Sequence, residues 1–175
     1  MSRVLVACIG NIFDGDDAFG VEVARRLAGR VWPDGVKVVD FGIRGLDLAY
    51  ALQDGYYAAV LVDAVQHGAA PGTVSVIEPE LPEAADEAPA FAPHALDPAA
   101  VLRLVHALGA TCPRVLVVGC EPLTFGGEEG VMGLSAPVAA AVGPAADTVE
   151  SLARSLLEGT RASRAAATEV ERSLP

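Results

Sequence analysis

Two kinds of hydrophobic run alternate along the chain. Short, nearly continuous apolar stretches of strand length occur at "RVLVACI" (3–9), "VKVVDF" (36–41), "AAVLVDAV" (58–65), "GTVSVIE" (72–78) and "RVLVVG" (114–119). A strand that is apolar at consecutive positions buries both faces, as in a sheet with helices on each side. Between most of these runs the period changes to that of a helix. Phe19, Val23 and Leu27 recur every four residues, with Glu22, Arg25 and Arg26 on the opposite face. "GLDLAYALQDG" (45–55) is a second, shorter helix. "DPAAVLRLVHALG" (97–109) opens on an Asp followed by Pro and closes on Gly, the usual start and stop signals. After Ser135, the residues Val138, Val142, Ala145, Val149, Leu152 and Leu156 follow three-four spacing.

One connection breaks the alternation. Between Asp63 and Gly72 there is no room for a crossover helix, so the fourth strand is expected to run antiparallel. The pattern predicts an α/β fold: a three-layer α/β/α sandwich around a mostly parallel five-stranded twisted sheet with one antiparallel strand. Residues 1–158 read as a single domain. Residues 159–175, charged and without an apolar period, read as a flexible C-terminal tail. The Pro-, Ala- and acid-rich stretch 79–96 reads as a long exposed loop, and loops of that length often carry function.

Composition narrows the function. With 175 residues and 52% hydrophobic content the chain can bury a sizeable core. A formal net charge of −11 offers no basic stripe, which argues against nucleic acid and against an anionic membrane surface as partners. The apolar stretch 131–146 is broken by Gly133, Pro137, Gly143 and Pro144, so no membrane span is expected. The N-terminal apolar run is too short for a signal peptide. Three cysteines with no C-x-x-C pair give neither a disulfide framework nor a zinc knuckle and point to a reducing, cytoplasmic setting.

The candidate chemistry starts at "IGNIFDGDDAFG" (9–20), where a buried strand runs into Asp14, Asp16 and Asp17. Carboxylates this close repel one another, and a visiting cation would relieve the repulsion. In open α/β sheets ligands bind beyond the carboxyl ends of the strands, where the strand order reverses. Strands one and three should be neighbours at that point. Asp17 follows the first strand, Asp63 ends the third, and His94 lies in the long loop. Two carboxylates and an imidazole converging there would suit a divalent ion such as Ni, Zn, Mn or Fe. Plainer roles stand beside these. Asp16 or Asp17 could cap the first helix. Asp63 could bond backbone N–H groups of a neighbouring loop. His94 could be an ordinary loop histidine, and His67 is a rival ligand. A nucleotide cofactor is disfavoured, because the turn does not fit G-x-G-x-x-G and its acids would repel a pyrophosphate. Serine chemistry has no G-x-S-x-G, and Ser75 and Ser135 show no evident partner base.

Taken together, "GNIFDGDDAFGVEVARRL", "DFGIRGLDLAYAL", "VLVDAV", "PHAL" and "VVGCEP" followed by "GLSAPVAAAV" resemble, in order, the motifs of the [NiFe]-hydrogenase maturation proteases over roughly residues 3–158. The resemblance implies a cytoplasmic endopeptidase that removes a C-terminal extension from the hydrogenase large-subunit precursor after nickel insertion. It places the family's metal ligands, and with them the catalytic centre, on Asp17, Asp63 and His94. The nickel would be supplied by the precursor rather than held as a permanent cofactor. Departures from the family pattern are Cys8 where a first Gly is common, the additional Asp14, Ala18 where Gly is frequent, and Asp17 where some members carry Glu. The alternatives are a non-catalytic protein that holds nickel or a hydrogenase subunit in the same crevice, and a small nucleotide-binding domain.

Overall fold

The computed structural model describes residues 3–79, 98–108 and 114–172. Five strands form one sheet: β1 (Val4–Ile9), β2 (Val36–Gly42), β3 (Ala58–Ala64), β4 (Val74–Ile77) and β5 (Arg114–Cys120), in the order β2-β1-β3-β5-β4. β1 pairs in parallel with β2 and β3, and β3 with β5. β4 is antiparallel, as its short connection requires, but it pairs with β5 at the sheet edge rather than with β3. Around the sheet lie α1 (Phe19–Leu27), α2 (Gly45–Ala51), α3 (Pro98–Ala107) and α4 (Ala136–Arg172), with a 3₁₀ turn, Gly15–Ala18, leading into α1. The three-layer sandwich follows from the strand sequences.

Side chains of β1 alternate between two cores, as the period of a strand demands. Val4, Val6 and Cys8 pack with Phe19, Val23 and Leu27 of α1 and with Val138, Ala145, Val149 and Leu156 of α4. Leu5, Ala7 and Ile9 face the other way, onto Leu48 of α2 and Val101 and Val105 of α3. Burying one such Leu or Val contributes about 1.5–3 kcal/mol, which is why β1 and β3, entirely apolar up to Val62, occupy the centre. β2 and β4, the two edge strands, are partly exposed and the less apolar ones.

α4 continues past residue 158, through residues expected to form a tail, and Thr160 is buried with its hydroxyl donating to the Leu156 carbonyl (2.8 Å). Its outer face is tied to the α1–β2 connection by Arg30, whose guanidinium donates to Asp147 (2.7 Å) and Glu150 (2.6 Å). Among the described residues no helix is long and apolar enough to cross a membrane.

Candidate active site at the carboxyl end of the sheet

The strand order reverses between β1 and β3: the chain leaves β1 for β2 on one side, and β3 returns to the other. The crevice beyond their carboxyl ends is where the loops that follow must pass closely. Gly10, just past β1, has φ +155°, and a Cβ there would lie 2.1 Å from the Asp17 carbonyl oxygen. Gly20, in the first turn of α1, has no room for a Cβ either: it would meet the carbonyl oxygens of Ile9 at 2.0 Å and Val62 at 2.5 Å. These two glycines let the Asp17 turn rest directly on the ends of β1 and β3, beside the residue that precedes Asp63.

The three acids of this turn have different surroundings. Asp16 is fully buried, and its carboxylate accepts the amides of Leu123 (2.8 Å), Thr124 (3.0 Å) and Ser135 (2.7 Å) and the Ser135 hydroxyl (2.8 Å). Burial pushes its carboxyl up, but the donors of Ser135, Thr124 and Leu123 outweigh burial and leave it below the ordinary carboxylate value. Asp14 accepts the Gly126 amide at 2.7 Å. Donors of the β5–α4 loop therefore satisfy Asp14 and Asp16, two of the three acids whose charge looked costly in the sequence. Neither Asp16 nor Asp17 caps α1, whose N-cap is Ala18 with no side-chain hydrogen bond.

Asp17 is half-buried and accepts one amide, that of Asn11 (3.0 Å). Partial burial raises its carboxyl above the ordinary value; the Asn11 amide pulls it back, and the neighbouring charge of Asp14 adds to the rise. Asn11 also shapes the turn, its side-chain oxygen accepting the Phe13 amide at 3.0 Å. Asp63, 2% exposed, is the sixth residue of β3, opposite Gly119 of β5, and its carboxylate accepts the Ala64 amide at 2.8 Å. By strand alternation it shares the face of Leu61, the face covered by α2 and α3. His94 lies outside the described residues. Among the described residues no three His, Cys, Asp or Glu side chains form a metal-binding group.

His67, the rival ligand, is engaged elsewhere. Its Nδ1 lies 3.2 Å from a Glu121 oxygen and 3.2 Å from the Val65 carbonyl, and its Nε2 lies 3.3 Å from the Ser75 hydroxyl. Glu121 in turn accepts the amides of His67 (2.9 Å) and Ala69 (3.2 Å). The His67 amide is the main cause of a lowered Glu121 carboxyl; burial opposes it, and the Ala69 and Gly68 amides add to it. This group shapes the β3–β4 connection. Ser75 thus has a base beside it that was not evident from sequence, whereas the Ser135 hydroxyl is committed to Asp16.

Cys8 is an ordinary strand residue paired with Asp40 and Val62, so no left-handed backbone is required where the first Gly is common. Burial first, and then the Asp40 charge, drive its thiol far up; burial, Asp16 and Glu121 push the Cys120 thiol up to about 11. Neither offers a thiolate nucleophile near neutral pH.

Comparison with known proteins converges. A family model described as hydrogenase maturation protease matches residues 21–152, a span that includes Asp63 and His94 and begins just after Asp17. The hydrogenase 2 maturation protease of Escherichia coli is 30% identical over 153 residues, which cover 84% of this chain and 88% of that protein. The hydrogenase expression/formation protein HupM of Azotobacter chroococcum is 33% identical over 153 residues, covering 82% of this chain and 68% of its own. Among solved structures, the hydrogenase-maturating endopeptidase HybD from E. coli superposes with a TM-score of 0.67 at 28% identity, over 87% of this chain and 93% of that one.

Proposed function

Because the chain belongs to the hydrogenase maturation protease family, we propose that it is the endopeptidase that removes a C-terminal extension from a nickel-loaded [NiFe]-hydrogenase large-subunit precursor, acting in the cytoplasm. The observation that supports this reading is the close packing of the Asp17 turn on the end of β3, the strand that carries Asp63, at the point where strand order reverses. Of the acids in the turn, Asp17 is the one not consumed by the β5–α4 loop, and its carboxyl is raised toward the working pH.

Peptide hydrolysis needs a water oxygen added to the scissile carbonyl carbon, the C–N bond broken, and a proton delivered to the departing amine. Asp17 suits the proton transfers: ionised it takes a proton from water, and protonated it returns one to the amine nitrogen. Asp63, buried at the strand end, suits a fixed anionic role, holding the precursor's nickel with Asp17 and, by family resemblance, His94. The nickel arrives with the precursor, so in this reading it is part of what the enzyme recognises, and no nucleotide cofactor is involved. The preference for a loaded precursor then has a simple cause: without the cation, two crevice carboxylates repel each other and an incoming peptide carbonyl alike.

The test is intact-mass measurement of the large-subunit precursor, with and without nickel, after incubation with the protein. A mass loss equal to the extension is expected only with nickel, and Asp63→Ala should abolish it while the circular dichroism spectrum stays unchanged. Binding of the loaded precursor with no change in its mass would instead establish the non-catalytic nickel- or subunit-binding role.

A further inference from the structure

Beside the crevice, two loops that each carry large exposed apolar side chains are stitched into one surface. Phe13 (60% exposed) lies in the β1–α1 loop; Leu123 (57%), Val131 (51%) and Met132 (71%), with Phe125, lie in the β5–α4 loop. These are five of the twelve large exposed apolar residues found among the described residues, gathered in two short segments. The segments are locked together. The Val131 amide donates to the Phe13 carbonyl (2.9 Å), the Gly15 amide to the Val131 carbonyl (2.7 Å), and Asp14 and Asp16 accept amides of Gly126, Leu123 and Thr124. Scattered exposed apolar residues are unremarkable, but a fixed cluster of them is a mark of an interaction site.

Two features say what covers it. First, the surface is continuous with the crevice: Phe13 belongs to the same turn as Asp17 and is tied to it through Asn11, whose amide reaches Asp17 and whose side chain receives the Phe13 amide. A chain that presents a peptide bond at Asp17 therefore has Phe13 next to it in the same turn. Secondly, its charge has one sign. Residues 9–24 and 121–135 contain no Lys, Arg or His, while Glu128 and Glu129 are exposed within the second loop and the chain as a whole carries −11. We propose that these two loops form the docking surface for the precursor polypeptide, binding a segment next to the cut bond that carries apolar side chains flanked by Lys or Arg. The apolar side chains supply contact area, and the glutamates select a basic neighbour and speed encounter. The inference rests on the peptidase reading for the identity of the partner but not for the existence of the surface.

The experiment uses the full chain and the nickel-loaded precursor, with two double variants, Phe13→Ser with Met132→Ser and Glu128→Lys with Glu129→Lys. Cleavage kinetics should show KM raised about tenfold in each, with the loss carried by KM rather than kcat. Precursor binding, read separately by biolayer interferometry, should weaken by a similar factor, and the charge variant should also lose the salt dependence of the wild type. If the wild type binds but never cuts, the peptidase reading fails while the loss of binding in the variants still upholds the surface. Unchanged KM and unchanged precursor binding in both variants would overturn the proposal. So would sedimentation showing a wild-type dimer that Phe13→Ser with Met132→Ser converts to monomer at unchanged precursor affinity, since the face would then be covered by a second copy of this chain.

Discussion

Asp16 and Asp17 are neighbours in sequence and opposites in environment. Asp16 sits in the seam between the 3₁₀ turn and the β5–α4 loop, sealed from water and saturated by three amides and a hydroxyl. Asp17 sits at the crevice, half-buried, with one amide and the charge of Asp14 nearby. The first carboxyl is held below the ordinary value and the second above it. An acid whose lone pairs are all satisfied by the fold stabilises the fold; an acid left short of donors has charge available for a substrate. The pair shows how one turn can divide anchoring from chemistry without changing residue type.

The largest expected effect is on Asp17. Asp17→Asn keeps the shape and can still accept the Asn11 amide, but it cannot exchange a proton or hold a cation as an anion. Cleavage should fall at least about a hundredfold in kcat. Stability should move the other way. A carboxyl whose folded value is raised stabilises most below its unfolded value and loses that contribution as pH rises through the folded value. Near neutrality ionised Asp17 therefore costs stability, and the Asn variant should melt at or above the wild-type temperature. The difference should vanish near pH of about 3, where wild-type Asp17 is protonated in both states. A variant that loses both activity and stability at neutral pH would merge the two acids into one role.

Asp16 should give the reverse result. Asp16→Ala leaves three amides and a hydroxyl of the seam without their acceptor, at a cost of about 3 kcal/mol, with activity lost only in proportion to unfolding. Its pH signature also has the opposite sign. A lowered folded value contributes stability that is present above the unfolded carboxyl value and lost as pH falls through the folded one. Denaturant unfolding of wild type and Asp16→Asn should therefore show a gap near neutrality that narrows as the medium is made strongly acidic.

The division between the two acids was only half legible in the sequence. The strands were, because β1, β3 and β5 are apolar on both faces and the connection after Asp63 is too short for a helix. So was the place of the Asp17 turn, because a reversal of strand order between β1 and β3 leaves an opening beyond their carboxyl ends, and the turn rests there. The neighbour of β4 was not: a short connection dictates direction, whereas pairing with β5 depends on a strand forty residues further on. Nor was the role of Asp16. Its donors are backbone amides more than a hundred residues away, and an amide leaves no trace in a sequence. The one side-chain clue was Ser135, placed just before α4 and apparently free of a partner. A polar residue at that junction together with a surplus acid in the first turn is the pattern that could have suggested the bond. His94 stands where the long loop approaches α3 in sequence, outside the described residues, so its place in the site rests on the resemblance.

Ser135 also supplies the finest test of the comparison. Its hydroxyl donates to one Asp16 oxygen at 2.8 Å and its amide to the other at 2.7 Å. Ser135→Ala removes only the first, leaving Asp16 with three amide donors and still ionised. The cost should be about 1 kcal/mol, or roughly 2–4 °C in melting temperature for a chain of this size. If anchoring and chemistry are separate, kcat should not change, because Asp17 draws its single hydrogen bond from Asn11 and not from the β5–α4 loop. A fall in kcat approaching that of Asp17→Asn, measured at a temperature where the variant is fully folded, would mean that the seam transmits its geometry to the crevice. The two neighbouring acids would then have to be regarded as a single catalytic unit.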